Sequence, residues 1–294
     1  MIVQYTRSIS RERLPSVVRC VAKGTLGENG EFLAVGTQNK RMYILGVDLK
    51  VRQEIEFPQW VRCVAAGDLN GDGTDEIVAG SGDNSLRAYQ FDGNQFQEIT
   101  TSYFGNFVNA CVIDDIDNDG HAEIVAGSWD NMVRAFRLVG GVLELVWERV
   151  FDKGIQGLKS ADLQKNGTHQ LVVLFKGGGL AVIEGKDGSP LWDKFTEKEL
   201  LAIDVGVFDQ SGHAYIVTGG NDMALSFNAP DGELLKMVET GDRVTSLIVE
   251  DIDGGDHVEV VVGVAQKGLS AYELSKASLE SLSLKWNVRT QGVV

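Results

Sequence analysis

Residues 65–80 read AAGDLNGDGTDEIVAG, and residues 112–127 read VIDDIDNDGHAEIVAG. Both set oxygen side chains at every second position, then a glycine, an acid and an apolar run. Anchored on Asp68, the register recurs at Asp115, Asp162, Val207 and Asp251, in steps of 47, 47, 45 and 44 residues. A degenerate copy with a shorter loop occupies residues 18–36, so six copies fill almost the whole chain. Repeats of this length are supersecondary units that bury their faces only against their neighbours. This spacing constrains the fold more than any other feature of the chain.

Each copy divides into four short strands. In the second copy they are predicted at 61–67, 77–81, 86–91 and 96–101, apolar runs bounded by Gly, Asn and Asp. GDNS and WDNM mark the turn between second and third strands; FDGN, KDGS and PDGE mark the turn between third and fourth. Asn, Asp and Gly supply the positive φ that tight hairpins need. Trp147, Trp192 and Trp286 recur late in their copies and are expected to pack between sheets. A four-stranded unit at this period predicts an all-β fold, a β-propeller. No copy carries the helical periodicity a solenoid of helices requires. Residues 273–286 are read as a turn followed by the last outer strand. Six blades are expected, with seven as the alternative, because residues 2–9 and 281–288 both read as outer strands. The whole chain, 1–294, reads as one domain with repeats at about 17–59, 60–106, 107–153, 154–198, 199–242 and 243–294.

The loop chemistry explains the alternating oxygens. Counting from the first Asp, positions 1, 3, 5, 7 and 9 are Asp68, Asn70, Asp72, Thr74 and Glu76 in the second copy. In the third they are Asp115, Asp117, Asp119, His121 and Glu123. Alternate side chains on a tight loop converge on one centre, and hard oxygen donors of this kind suit Ca²⁺, which takes about six to eight of them. The sixth copy keeps Asp251, Asp253 and Glu259. The fourth offers Asp162, Gln164, Asn166 and Gln170, with less charge, and the fifth and first lack the set. The same side chains also cap turns by accepting backbone N–H groups. Both readings stand at the level of sequence; any calcium would be structural, in two loops and in a third at most. The four histidines, His121, His169, His213 and His257, all lie in these loops. They are not expected to form a zinc site, because equivalent positions on neighbouring blades are ~10 Å apart and Zn–N bonds are ~2 Å. They read as solvated loop residues.

These loops resemble the FG-GAP repeat of integrin α-subunit propellers and bacterial VCBS-type repeats, most closely at residues 64–81 and 103–128, where Phe104–Gly105 precedes the loop. The resemblance implies a β-propeller with calcium in its hairpin loops, the position-7 residues Thr74 and His121 acting through backbone carbonyls. Glu at position 9 departs from the Asp usual in integrin loops. Residues 205–247 are similar to the N-terminal propellers of BBSome subunits and related intracellular proteins, which implies a non-enzymatic part of a multi-subunit assembly.

Charge and composition narrow the partners. With a net charge of −15 and a pI near 4.7, the chain lacks the basic surface that nucleic acid or an anionic membrane requires. No run approaches the ~18 apolar residues of a membrane helix, and no direct membrane insertion is expected. Cys20, Cys63 and Cys111 each sit among apolar strand residues; an odd, small number favours buried, reduced thiols and a cytoplasmic setting. The N-terminus has no apolar signal segment. An extracellular location is the alternative if one was removed.

The first positions of the inner strands are Arg19, Arg62, Asn109, Gln156, Leu201 and Thr245. No nucleophile, acid and base converge there, and the glycine-rich 175–182 falls at a hairpin rather than before a helix, so it is no phosphate loop. Arg19, Arg62 and Asn109 are candidates for a polar channel mouth. The expected function is a non-catalytic interaction scaffold for other proteins. The alternative is a calcium-dependent surface adhesin or glycan binder.

Overall fold

The computed structural model describes residues 14–208, 214–252, 254, 258–274, 279 and 282–289. Its strands form six four-stranded antiparallel sheets, each built from consecutive strands. Blade 1 is β1 (Val18–Thr25), β2 (Glu31–Thr37), β3 (Arg41–Gly46) and β4 (Val51–Glu56). Blade 2 is β5 (Val61–Gly67), β6 (Glu76–Ser81), β7 (Ser85–Phe91) and β8 (Phe96–Tyr103). Blade 3 is β9 (Val108–Asp114), β10 (Glu123–Ser128), β11 (Met132–Val139) and β12 (Val142–Val150). Blade 4 is β13 (Ile155–Ala161), β14 (Gln170–Phe175), β15 (Leu180–Glu184) and β16 (Pro190–Lys194). Blade 5 is β17 (Leu200–Val207), β18 (Ala214–Gly220), β19 (Ala224–Asn228) and β20 (Leu234–Glu239). Blade 6 is β21 (Val244–Glu250), β22 (Val258–Val264), β23 (Gly268–Leu274) and β24 (Ser283–Val288). This is the expected six-bladed propeller. The strand expected within 281–288 is β24; residues 2–9 lie outside the described residues.

The first strand of each blade packs against the first strand of the next, from β1 through β5, β9, β13 and β17 to β21. A Cβ on Gly80 would come within 2.6 Å of Val108 Cγ1, and one on Gly127 within 2.4 Å of Ile155 Cγ2. The glycine therefore admits the first residue of the following blade. Blade 4 inverts the pair: Leu174 takes the glycine position and its cross-strand partner is Gly157. Gly157 leaves the room that the Leu174 side chain occupies across the strands.

The tryptophans tie successive blades at their outer edges. Trp147 of β12 donates Nε1–H to the Gly185 carbonyl of blade 4 at 2.8 Å, and Trp192 of β16 does the same to Pro230 of blade 5 at 2.8 Å. Both rings pack under the glycine of that blade's last hairpin, Gly188 and Gly232.

One interface is sparser than the others among the described residues. β21 does not pack on β1 as the five other consecutive pairs do. Val18 and Val21 are 45% and 54% exposed, whereas Val61 and Val64, at the same positions of β5, are 0% and 8% exposed. Ile248, on the facing side of β21, is 48% exposed. Leu33, Val35, Tyr43 and Leu45 of blade 1 make a small separate cluster closed by Leu14. Full burial of a valine is worth ~1.5–3 kcal/mol, which Val18 and Val21 gain only in part, whereas Val35, Tyr43 and Leu45 of the same blade are buried.

Candidate functional site

In antiparallel blades the first-to-second and third-to-fourth connections emerge on one face of the disc. That face carries the acidic loops. In blade 2, Asp68 Oδ1 accepts the Gly71 N–H at 2.7 Å and Oδ2 accepts Gly73 N–H at 2.8 Å. Asn70 Oδ1 accepts Asp72 N–H, and Asp72 Oδ1 accepts Thr74 N–H, each at 2.8 Å. Glu76 closes the loop: Oε2 accepts Leu69 N–H at 2.9 Å and Oε1 accepts the Asn70 side-chain amide at 2.8 Å. Leu69 is the buried plug that holds the loop on the core.

The other loops repeat this scheme. Asp115 accepts Asp119 N–H at 3.1 Å and Gly120 N–H at 2.9 Å, and Glu123 Oε2 accepts Ile116 N–H at 3.3 Å. In blade 4, Asp162 accepts Asn166 and Gly167 N–H at 3.0 Å, and neutral Gln170 accepts Leu163 N–H at 2.9 Å. In blade 6, Asp251 accepts Gly254 N–H at 2.8 Å and Glu259 Oε2 accepts Ile252 N–H at 3.1 Å. Asp253 lies outside the described residues. Position 9 is thus first a backbone cap for the N–H at position 2, and an amide performs that role as well as an acid.

What differs is the charge inside each loop. Blade 2 holds Asp68, Asp72, Asp75 and Glu76 with no Lys or Arg paired to any of them among the described residues. Glu76 is buried, and desolvation together with the neighbouring Asp72, Asp68 and Asp75 pushes its pKa up to about 7. Carboxylate oxygens of Asp115, Asp117 and Glu123 in blade 3 lie within 4.8 Å of one another. Arg137 of β11 reaches into that set. Its Nη2 lies 2.8 Å from Asp119 and 3.4 Å from Asp117 and also pairs with Glu123, to which Nε donates at 2.9 Å. Hydrogen bonding to Glu123 holds the Arg137 pKa above its ordinary value. Burial still raises the Glu123 pKa, with the Arg137 hydrogen bond opposing it. In blade 6, Lys285 of β24 sits 2.7 Å from Glu259 and 2.9 Å from Glu273.

The blade-2 donor types suit calcium, and Asp68, Asn70, Asp72, the Thr74 carbonyl and Glu76 would hold it, but among the described residues only the three blade-3 carboxylates lie within 4.8 Å of one another. The blade-3 and blade-6 sets already contain a cation.

The histidines separate. His121 is exposed, as expected of a loop residue, and His213 and His257 lie outside the described residues. His169 is not a solvated loop residue: its Nδ1 pairs with Asp114 across the blade 3–4 boundary, beside Ser160 Oγ at 3.5 Å. Asp204 makes a similar boundary contact, accepting Val249 N–H at 2.9 Å and pairing with Lys159 at 2.8 Å.

The opposite face carries the channel mouth. Arg62 Nε donates to Asn109 Oδ1 at 2.7 Å, and Asn109 Nδ2 donates to the Gln156 carbonyl at 3.1 Å. Arg19 does not join this chain of hydrogen bonds among the described residues. The Arg62 guanidinium stacks 5.0 Å from the Phe107 ring and 4.7 Å from Trp129, with Lys176 Nζ 3.6 Å from Trp129 on that ring as well. Desolvation lowers the Arg62 pKa. A cleft lined by Gln59, Trp60, Arg62, Gly82 and Phe107 opens beside it. None of its four side chains exchanges a proton near neutral pH. The hairpin at 176–179 joins β14 to β15 and precedes no helix.

Among the described residues the outer strands are sheet edges without a further strand partner. β12 differs from the rest in length and in apolar exposure: Val142, Leu145, Val146 and Val150 all face solvent, and Glu144 and Glu148 alternate with the valines. The profile of a family described as KICSTOR complex protein kaptin matches residues 100–184, from the end of β8 through β15. The matched segment contains the whole of blade 3, including β12, and most of blade 4. No curated protein matches the chain.

Proposed function

We propose that this chain is a non-catalytic β-propeller subunit that binds other proteins within a multi-subunit assembly. The observation that carries the reading is the β12 edge. Unpaired backbone groups beside exposed Val142, Val146 and Val150 form a template to which an extended strand of a partner can add. Its alternating glutamates favour a partner strand with Lys or Arg between apolar residues. The kaptin likeness supports the same reading, since it spans this blade and kaptin is described as a protein of the KICSTOR complex. In this reading the chain is an FG-GAP-type propeller of the intracellular kind, akin to those of the BBSome. Its three free cysteines favour the cytoplasm. Calcium, where bound, is structural and held by the Asp68 loop.

The test is crosslinking mass spectrometry on the tagged chain purified from its native cells, with Val142→Lys/Val146→Lys in parallel. A stoichiometric partner whose strand crosslinks to β12, and which the double variant loses, supports the proposal. A chain that purifies alone, or a partner crosslinked only elsewhere, refutes it.

A further inference from the structure

We propose that Arg137 in blade 3 and Lys285 in blade 6 are tethered cations that occupy the place of a metal ion, leaving the blade-2 loop as the one described acidic loop open to external calcium. The inference deepens the calcium reading of the Asp68 loop given above.

In four blades, one oxygen of the position-9 side chain is committed to the backbone N–H at position 2. Where position 9 is an acid, its second oxygen points into the loop, and its partner changes from blade to blade. It is the Asn70 amide in blade 2, the Arg137 guanidinium in blade 3 and the Lys285 ammonium in blade 6. Blade 4 needs no counter-charge there, because Gln170 is neutral and gives its own Nε2–H to the Thr168 carbonyl at 3.2 Å. The cations arrive from different strands. Arg137 follows Phe136, the cross-strand partner of Ile124, and so stands opposite Glu123. Glu273 occupies the matching position opposite Glu259, and Lys285 reaches both acids from the next strand. The same electrostatic need is thus met by two unrelated substitutions.

Arg137 meets three carboxylates of its loop, Asp117, Asp119 and Glu123. Calcium entering that loop must displace the guanidinium or share the donors with it. The first loses charge-assisted hydrogen bonds; the second sets two cations within a few ångströms in a partly buried place. Blade 2 holds Asp68, Asp72 and Glu76 with no such competitor among the described residues, its carboxylates standing further apart than those of blade 3.

Isothermal titration with calcium chloride on EDTA-stripped protein separates the possibilities, with Arg137→Gln and Arg137→Lys beside the wild type. Wild type is expected to bind one ion, abolished by Asp72→Ala and unaffected by Asp119→Ala. Arg137→Gln is expected to gain one further ion, lost again on adding Asp119→Ala, while Arg137→Lys gains none. If the wild type binds no calcium but Arg137→Gln binds one, the tethered-cation inference stands and the blade-2 reading falls. If Arg137→Gln melts cooperatively, as the wild type does, yet gains no ion, the inference is overturned. It is equally overturned if wild type binds two ions and Asp119→Ala removes one.

Discussion

Replacing Glu76 by Gln isolates the charge from the hydrogen bond. Glu76 has a pKa near 7 in the fold against 4.5 for the free side chain, with burial as the first cause. The folded pKa is raised, so the protonated form is the one the fold prefers. The acid is tolerated below the unfolded value and becomes a liability as pH rises through 4.5 to 7, fully so above 7. A tenfold change in proton affinity is worth about 1.4 kcal/mol, which bounds the penalty at about 3 kcal/mol; water at the loop rim reduces it to about 1–2 kcal/mol. Gln170 shows that an amide caps the same N–H in blade 4. The substitution gives up the Asn70 contact to Oε1, about 1 kcal/mol at either pH. Glu76→Gln is therefore expected to be about 1 kcal/mol less stable than wild type at pH 5 and equal or slightly more stable at pH 8. Urea unfolding in EDTA at both values measures the difference. Loss of stability that is equal at both pH values, or larger at pH 8, would show that the Glu76 charge is already compensated and refute the view of an unbalanced loop.

Other consequences are direct. At the open seam, Val21→Asp should change the melting free energy by less than about 1 kcal/mol, whereas Val64→Asp, at the same position of a closed interface, should lose more than about 3 kcal/mol; equal losses in denaturant titrations would mean that the seam is covered. Gly127→Ala pushes a methyl group into Ile155 and should lose about 1–3 kcal/mol. Its effect should shrink when combined with Ile155→Ala, which removes the Cγ2 that the new methyl group meets, as a double-mutant cycle would reveal. Trp147→Phe keeps most of the ring but orphans the Gly185 carbonyl, for an expected loss of about 1–2 kcal/mol in thermal unfolding.

Most of the fold was legible because its determinants are local. β5 falls on the predicted residues, and β6, β7 and β8 differ by one or two residues at an end. The loops were legible for the same reason: Asp68 and Asp115 bond N–H groups no more than five residues away. What escaped the sequence is pairing between distant segments. Arg137 lies 14 residues beyond Glu123, and Lys285 lies 26 beyond Glu259. Neither position belongs to the loop pattern, and each becomes visible only when strand register sets it against the acid. His169 escaped similarly, because its partner Asp114 lies 55 residues earlier, in the preceding blade. The open seam has no local signal either, since Val18 and Val21 are as apolar as the buried valines they match.

The divergence of the loops follows from what the strands require. A blade interface depends on close fit, so where Leu174 replaces the glycine of the other blades its cross-strand partner is Gly157. A loop depends on one capped N–H at position 2, which Glu76, Glu123, Gln170 and Glu259 all supply. Once that bond is made, the charge left over is free to vary. It is removed by Gln170 and neutralised by Arg137 and Lys285, and it remains uncompensated at Glu76. The acidic face therefore keeps its shape whichever charge position 9 carries, and β12 retains a rigid blade behind it whichever solution each loop adopts.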